Sequence, residues 1–225
     1  MNVNKVNNVN SKESKKLKKK RLEKITLMHV NVRGLKSKIK DVISIAEDQK
    51  FDIMVLTETK LSEKENKIVP GYKNYRLNRL TRAGGVIIYY REELQVKKLK
   101  KNKECETLWV KLDCNENPIV IGGIYSPCEE NVSKADIGNF VRELEKDLAE
   151  IKEHTTDNII IVGDFNAHIG NDLEGVEGNH EKIGRNGNEY RRFIKERDLR
   201  LMNNSVKAIG KWTRVEGEER RDIHV

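Results

Sequence analysis

The chain lacks the features that would place it in several broad classes. It has three cysteines, Cys105, Cys114 and Cys128, an odd number with no CxxC pair. That pattern argues against a zinc site or a disulfide framework and fits a reducing compartment. No apolar run approaches the roughly 18–20 residues of a membrane span. The N-terminus has no apolar core of the kind a signal peptide carries, so an intracellular location, nuclear or cytoplasmic, is the expectation. There is no GxxxxGKS/T loop, so an acid at the end of a strand does not belong to a P-loop NTPase. No internal repeat is visible.

Charge is abundant but uneven. The 225 residues carry a formal charge of +8. Residues 1–24 hold nine lysines and arginines against Glu13 and Glu23, leaving the remainder close to neutral at +1. The segment 1–24 is rich in Asn, Ser and Lys with little apolar content, and it reads as a disordered basic tail. Its Lys15–Arg21 cluster suits a nuclear-import signal or a nucleic-acid arm, and equally a solvated leader.

From residue 25 to 225 the pattern is that of one folded domain. Ile25–Val32 reads as a strand. Ile39, Val42, Ile43 and Ala46 recur at helical spacing, and a strand at 52–57 completes a β-α-β unit. Val86–Tyr90, Thr107–Asp113 and Ile119–Tyr125 read as strands, the last two joined by a turn at 115–118. Ser133 with Asp136 forms a variant capping box ahead of an apolar stripe from Ile137 to Ile151. The run Asn158–Val162 then ends in Gly163-Asp164-Phe165-Asn166, as a strand buried on both faces would. A long loop is expected over 169–188, a helix with Tyr190, Phe193 and Ile194 inward, and short strands at 199–202 and 211–215. Interleaved helices and strands imply an α/β sandwich whose sheets are partly antiparallel.

Four strand tips carry chemistry, because ligands of open α/β sheets bind beyond the carboxyl ends of strands. Glu58 follows a buried strand and suits a hard cation, though an exposed loop acid looks the same. Asp164 could orient or deprotonate a nucleophile, and Asn166 could donate to developing negative charge; Gly, Asp and Asn are also ordinary turn formers. Asn31 ends the first strand. Tyr125, in Gly-Ile-Tyr-Ser-Pro, could donate to a phosphate or simply pack at the core edge. Of the histidines, His168 lies nearest the last tip and reads as a surface loop residue, while His29 reads as core.

The order of these tips is more specific than any one of them. Asn31, then Thr57-Glu58-Thr59, then Tyr125-Ser126-Pro127, then Gly163–His168 resembles the endonuclease/exonuclease/phosphatase family with its DNase I-like fold. Within it the chain is most similar to the apurinic-type endonuclease domains of LINE-type retrotransposons and to craniofacial development protein-like sequences. The resemblance implies a four-layered α/β sandwich and divalent-metal-dependent hydrolysis of DNA phosphodiesters, with Mg²⁺ or Mn²⁺ as cofactor. It implies that Glu58 binds the metal, Asn31 positions the catalytic groups, Tyr125 contacts the scissile phosphate, Asp164 activates water, and Asn166 stabilises charge at phosphorus.

Three departures from the family pattern stand beside this. Cys128 occupies the place of an Asn after Tyr-x-Pro. A late Ile-Asp-Tyr places either His224 or Asp222 at its Asp. The family's closing Ser-Asp-His falls past Val225, so a domain incomplete at its C-terminus, with slow or absent hydrolysis, is expected. A catalytically dead remnant, a binding protein on the same fold, and a phosphatase or phosphodiesterase for lipid or nucleotide substrates are the alternatives.

Overall fold

The computed structural model describes residues 25–78, 84–114, 118–155, 158–170 and 183–202, and the backbone of 214–216 and 219–221. The tail 1–24 and the positions Asp222 and His224 lie outside these residues.

Two four-stranded sheets face each other. One contains β1 (Leu27–Asn31), β2 (Ile53–Thr57), β3 (Tyr72–Leu77) and β4 (Val86–Arg91) in the order β1-β2-β4-β3. The other contains β5 (Val96–Asn102), β6 (Thr107–Leu112), β7 (Ile119–Tyr125) and β8 (Asn158–Asp164) in sequence order. Each sheet has one parallel pair, β1 with β2 and β7 with β8, and antiparallel pairs elsewhere. Helix α1 (Leu35–Gln49) covers the first sheet; α2 (Lys134–His154) and α3 (Arg185–Glu196) cover the second. The result is the expected α/β/β/α sandwich. A hairpin of β9 (Arg214–Glu216) and β10 (Glu219–Arg221) follows.

Period-two alternation assigns side chains to the three core layers. On β2, Ile53 and Val55 enter the space between the sheets, and Met54 and Leu56 face α1. On β4, Val86, Ile88 and Tyr90 point inward, and Ile87 and Tyr89 point to α1. On β6, Leu108, Val110 and Leu112 meet the other sheet while Trp109 lies under α2 and α3. Gly122 on β7 makes room for that indole, since a Cβ there would sit 2.4 Å from the Trp109 ring. Helix α2 starts at the expected box: Asp136 N donates to Ser133 Oγ at 3.2 Å and Ser133 N donates to Asp136 Oδ2 at 2.9 Å.

Asp147, buried on α2, ties the β5–β6 hairpin to the helix. It accepts from Thr107 Oγ1 at 2.6 Å, Asn102 Nδ2 at 3.1 Å and Trp109 Nε1 at 3.3 Å, and pairs with Lys100 Nζ at 3.0 Å. Cys105 Sγ lies 3.6 Å from the same carboxylate, and burial pushes its thiol up to about 12.

Several readings need correction. Strand β8 is buried only in part: it is the last strand of its sheet among the described residues, and Ile160 is 41% exposed. His29 is half-buried rather than core, because β1 is likewise an edge strand. Residues 199–202 form no strand; Leu199 and Leu201 instead pack beside the core under α2 and α3. Helix α3 begins inside the segment read as loop, at Arg185. The turn at 115–117 and most of the proposed strand at 211–215 lie outside the described residues, and β9 begins at Arg214. Strands β3 and β5 were not expected from the sequence. Both are edge strands, and β5 (VKKLKKN) carries the lysines that discourage edge-to-edge pairing.

Candidate active site

The two parallel pairs deliver their carboxyl ends to one place. Asn31 and Thr57 are register partners at the ends of β1 and β2, and Tyr125 and Asp164 are register partners at the ends of β7 and β8. Because the two sheets stack with β1 facing β8 and β2 facing β7, four tips converge across the sandwich.

Asn31 is the hub. Its Nδ2 donates to Asp164 Oδ2 at 2.6 Å and to Glu58 Oε1 at 3.2 Å, while its Oδ1 accepts from Arg33 N at 3.0 Å. One amide therefore holds a carboxylate from each sheet. Tyr125 Oη donates to Glu58 Oε1 at 2.9 Å, and Lys60 Nζ lies 3.1 Å from Glu58 Oε2. Burial pushes the Glu58 carboxyl up, but the bonds from Asn31, Tyr125 and Lys60 outweigh it, so its pKa falls below the usual range. The Tyr125 phenol is pushed well up, first by burial and then by Glu58, which keeps it a protonated donor.

The backbone around these side chains is unusual. Arg33, Glu58, Lys60 and Asn166 all have positive φ, between 46° and 52°, a region that non-glycine residues seldom enter. The Glu58 tip is held by Gly34 N donating to Glu58 O at 2.8 Å and Leu35 N to Thr59 O at 2.9 Å. The Asp164 tip is held by Ser126 N donating to Asp164 O at 2.8 Å and Asn166 N to Asp164 Oδ1 at 3.1 Å.

Of the five residues singled out from sequence, Asn31, Glu58, Tyr125 and Asp164 are joined by hydrogen bonds. Asn166 stands beside them, with Nδ2 donating to the Ser126 carbonyl at 2.8 Å. His168 is exposed, and its carbonyl accepts from Gly184 N at 3.0 Å. Cys128, where the family pattern has Asn, is partly buried and precedes a short 3₁₀ turn at Glu129–Asn131.

Sequence reasoning missed three residues. Lys60 pairs with Glu58. Asn186, in the first turn of α3, is buried; its Nδ2 donates to Asn166 O at 3.0 Å and Pro127 O at 3.1 Å, joining the loops after β7 and β8. Gly187 permits this closeness, since a Cβ there would lie 1.9 Å from His168 O. Glu106 is buried in the β5–β6 turn beside Tyr125, whose N donates to Glu106 O at 3.3 Å. Only the Asn-Gly of Arg185-Asn186-Gly187-Asn188 could have drawn attention to Asn186, and it reads as turn chemistry.

The donor set suits a hard cation. Glu58 and Asp164 offer oxygen only, and Glu58 Oε2 already faces the Lys60 ammonium. Mg²⁺ is commonly held by one or two carboxylates, with water and phosphate completing its shell. Among the described residues no group of three or more His, Cys, Asp or Glu is gathered as metal ligands.

The sequence profile of the endonuclease/exonuclease/phosphatase family matches residues 28–187, and the chain belongs to that family. Similar solved structures share its fold. An AP endonuclease from Archaeoglobus fulgidus is 19% identical, with 77% of this chain and 71% of that one covered and a TM-score of 0.54. The Xenopus laevis APE2 catalytic domain is 16% identical, with 75% and 67% covered and a TM-score of 0.57. The AP endonuclease of Leishmania major is 15% identical, with 76% and 65% covered and a TM-score of 0.51. The chain thus spans about two thirds of the length of that last protein. Among curated protein sequences none matches.

Proposed function

We propose that this chain is a divalent-metal-dependent phosphodiesterase acting on DNA, an endonuclease of the apurinic type that LINE-type retrotransposons carry. The supporting observation is the single Asn31 amide shared by Glu58 and Asp164, with Tyr125 donating to the same Glu58 oxygen. It supports the reading because in-line attack by water needs a metal ligand, a base and a hydrogen-bond donor for phosphate close together. The fold shared with AP endonucleases supports DNA as substrate.

In this reading Glu58, with Asp164 nearby, holds Mg²⁺ or Mn²⁺, which would supply positive charge at the phosphoryl oxygens. Asp164 accepts a hydrogen bond from the attacking water and draws off its proton, its carboxylate aimed by Asn31. Tyr125, kept protonated, donates to a non-bridging phosphate oxygen. Asn166 has two amide N–H groups; one secures Ser126 O and the other would meet charge developing at phosphorus. The tail of residues 1–24 would add sequence-independent phosphate affinity that weakens steeply with salt, and its lysines suit a nuclear address.

The test is a substrate panel: supercoiled plasmid, a duplex with one abasic-site analogue, and a small aryl phosphomonoester, each with Mg²⁺. Cleavage of DNA with a 3′-hydroxyl product supports the proposal. Phosphate release from the monoester with intact DNA would assign the site to the family's phosphatases instead.

A further inference from the structure

We propose that Glu106 is a positioning residue for Glu58, acting through the Gly84–Gly85 turn; this rests on the reading of Glu58 as metal ligand. Glu106 is 6% exposed and sits in the β5–β6 turn at φ +37°. Its Oε2 accepts from Gly85 N at 2.9 Å, a buried bond that crosses from the second sheet to the first.

The turn it grips forms one wall of the Glu58 tip. Gly85 O accepts from Thr59 N at 3.3 Å, and Gly84 O accepts from Lys60 N at 3.0 Å. Glu58 and Lys60 lie at φ +50° and +52°, so neither holds its conformation by local preference. The segment at Gly34–Leu35 fixes the carbonyls of Glu58 and Thr59, and the Gly84–Gly85 turn fixes the N–H groups of Thr59 and Lys60. With both in place, the Glu58 side chain has one direction to leave the backbone.

Gly84 leaves room for the Glu106 carboxylate and Gly85 for Thr59. A Cβ on Gly84 would lie 2.2 Å from Glu106 Oε2, and one on Gly85 would lie 2.6 Å from Thr59 Oγ1. Their φ values of +82° and +94° disfavour a side chain as well. Glu106 also receives the Tyr125 N–H on its own carbonyl. One residue therefore sets the backbone of both Glu58 and Tyr125, one from each sheet.

The experiment is Mn²⁺ binding to the full chain, followed by the electron paramagnetic resonance signal of free Mn²⁺, without substrate. The proteins are wild type, Glu58→Gln, Glu106→Met, Glu106→Gln and Gly84→Ala. Glu106→Met keeps the shape but cannot accept from Gly85 N–H. It is expected to weaken Mn²⁺ binding by about 10–100-fold, as loss of a group that orients a metal ligand does. Glu106→Gln retains an acceptor oxygen and should bind within about threefold of wild type. Should Glu106→Met not fold, Gly84→Ala displaces the same carboxylate and should give the same weakening. Wild-type affinity in Glu106→Met, beside a weakened Glu58→Gln, would overturn the positioning role and leave Glu58 as ligand. Equal weakening in Glu106→Gln and Glu106→Met would overturn the hydrogen-bond route. Wild-type affinity in Glu58→Gln would instead remove the metal reading itself.

Discussion

Replacing Asn31 with leucine keeps the branch at Cγ but removes the one donor that Glu58 and Asp164 share. Three bonds are lost: those to Glu58 and Asp164, at 3.2 Å and 2.6 Å, and the exposed one that Oδ1 accepts from Arg33 N at 3.0 Å, which water replaces. Hydrogen bonds to charged groups contribute about 1.5–3 kcal/mol each. The longer bond is at the edge of good geometry. Water can reach the half-buried Glu58, whose side chain is 19% exposed, and would replace part of the loss. A destabilisation of about 2 kcal/mol at neutral pH is therefore expected, at the low end of the sum. The pH dependence gives a sharper signature. The Glu58 carboxyl lies below its ordinary value in the folded protein. Its stabilisation is thus fully present above the unfolded pKa and is lost as pH falls through the folded one. In Asn31→Leu the upward push of burial stays while one opposing bond goes, so the variant should lose less stability than wild type on acidification. Urea unfolding followed by tryptophan fluorescence at about pH 7 and about pH 3, on either side of the glutamate range, measures both effects. A difference of about 2 kcal/mol that shrinks at the lower pH supports the reasoning. A difference below about 0.5 kcal/mol, the range of an ordinary surface substitution, or one that is the same at both pH values, refutes it.

Three further outcomes are expected. His29 bonds Thr57 Oγ1 at 3.2 Å, and burial lowers its pKa to about 4. Its unfolded form protonates first, so stability falls as pH drops from about 6.5; relative to His29→Gln, wild type should lose about 2 kcal/mol by about pH 5, at 1.36 kcal/mol per unit. Asp147→Ala strands the buried Thr107 and Trp109 donors and the Asn102 amide, and leaves Lys100 to Glu150 alone; it should cost about 3 kcal/mol in urea unfolding, as leaving buried donors unsatisfied does. Gly163→Ala places a Cβ 1.9 Å from the Ile124 carbonyl, so β8 must shift from β7; a loss of about 3 kcal/mol is expected in thermal or urea unfolding.

Elements with clean periodicity could be read directly. Strand β2 is apolar on both faces because it has a core on each side, and α2 announces itself by Ser133, Asp136 and a continuous stripe. The four joined site residues were legible because each sits at a strand tip and their order follows a family pattern. What escaped the sequence depends on partners far along the chain. Among the described residues strand β5 is hydrogen-bonded on one side only, so its lysines hide its strand character. Glu106 matters because a turn 21 residues earlier packs on it. Asn186 matters because α3 folds back on the loops after β7 and β8. The exposure of Ile160 and the partial burial of His29 follow from edge positions that no local pattern reveals.

The most direct measurement is single-turnover incision of an end-labelled duplex carrying one abasic-site analogue, by wild type and Asp164→Ala, in Mg²⁺ and in EDTA. The account predicts incision by wild type in Mg²⁺ alone and a rate about 10²–10⁴ lower in Asp164→Ala, the usual cost of losing a general base. Equal rates for the two proteins, or incision that persists in EDTA, would contradict it.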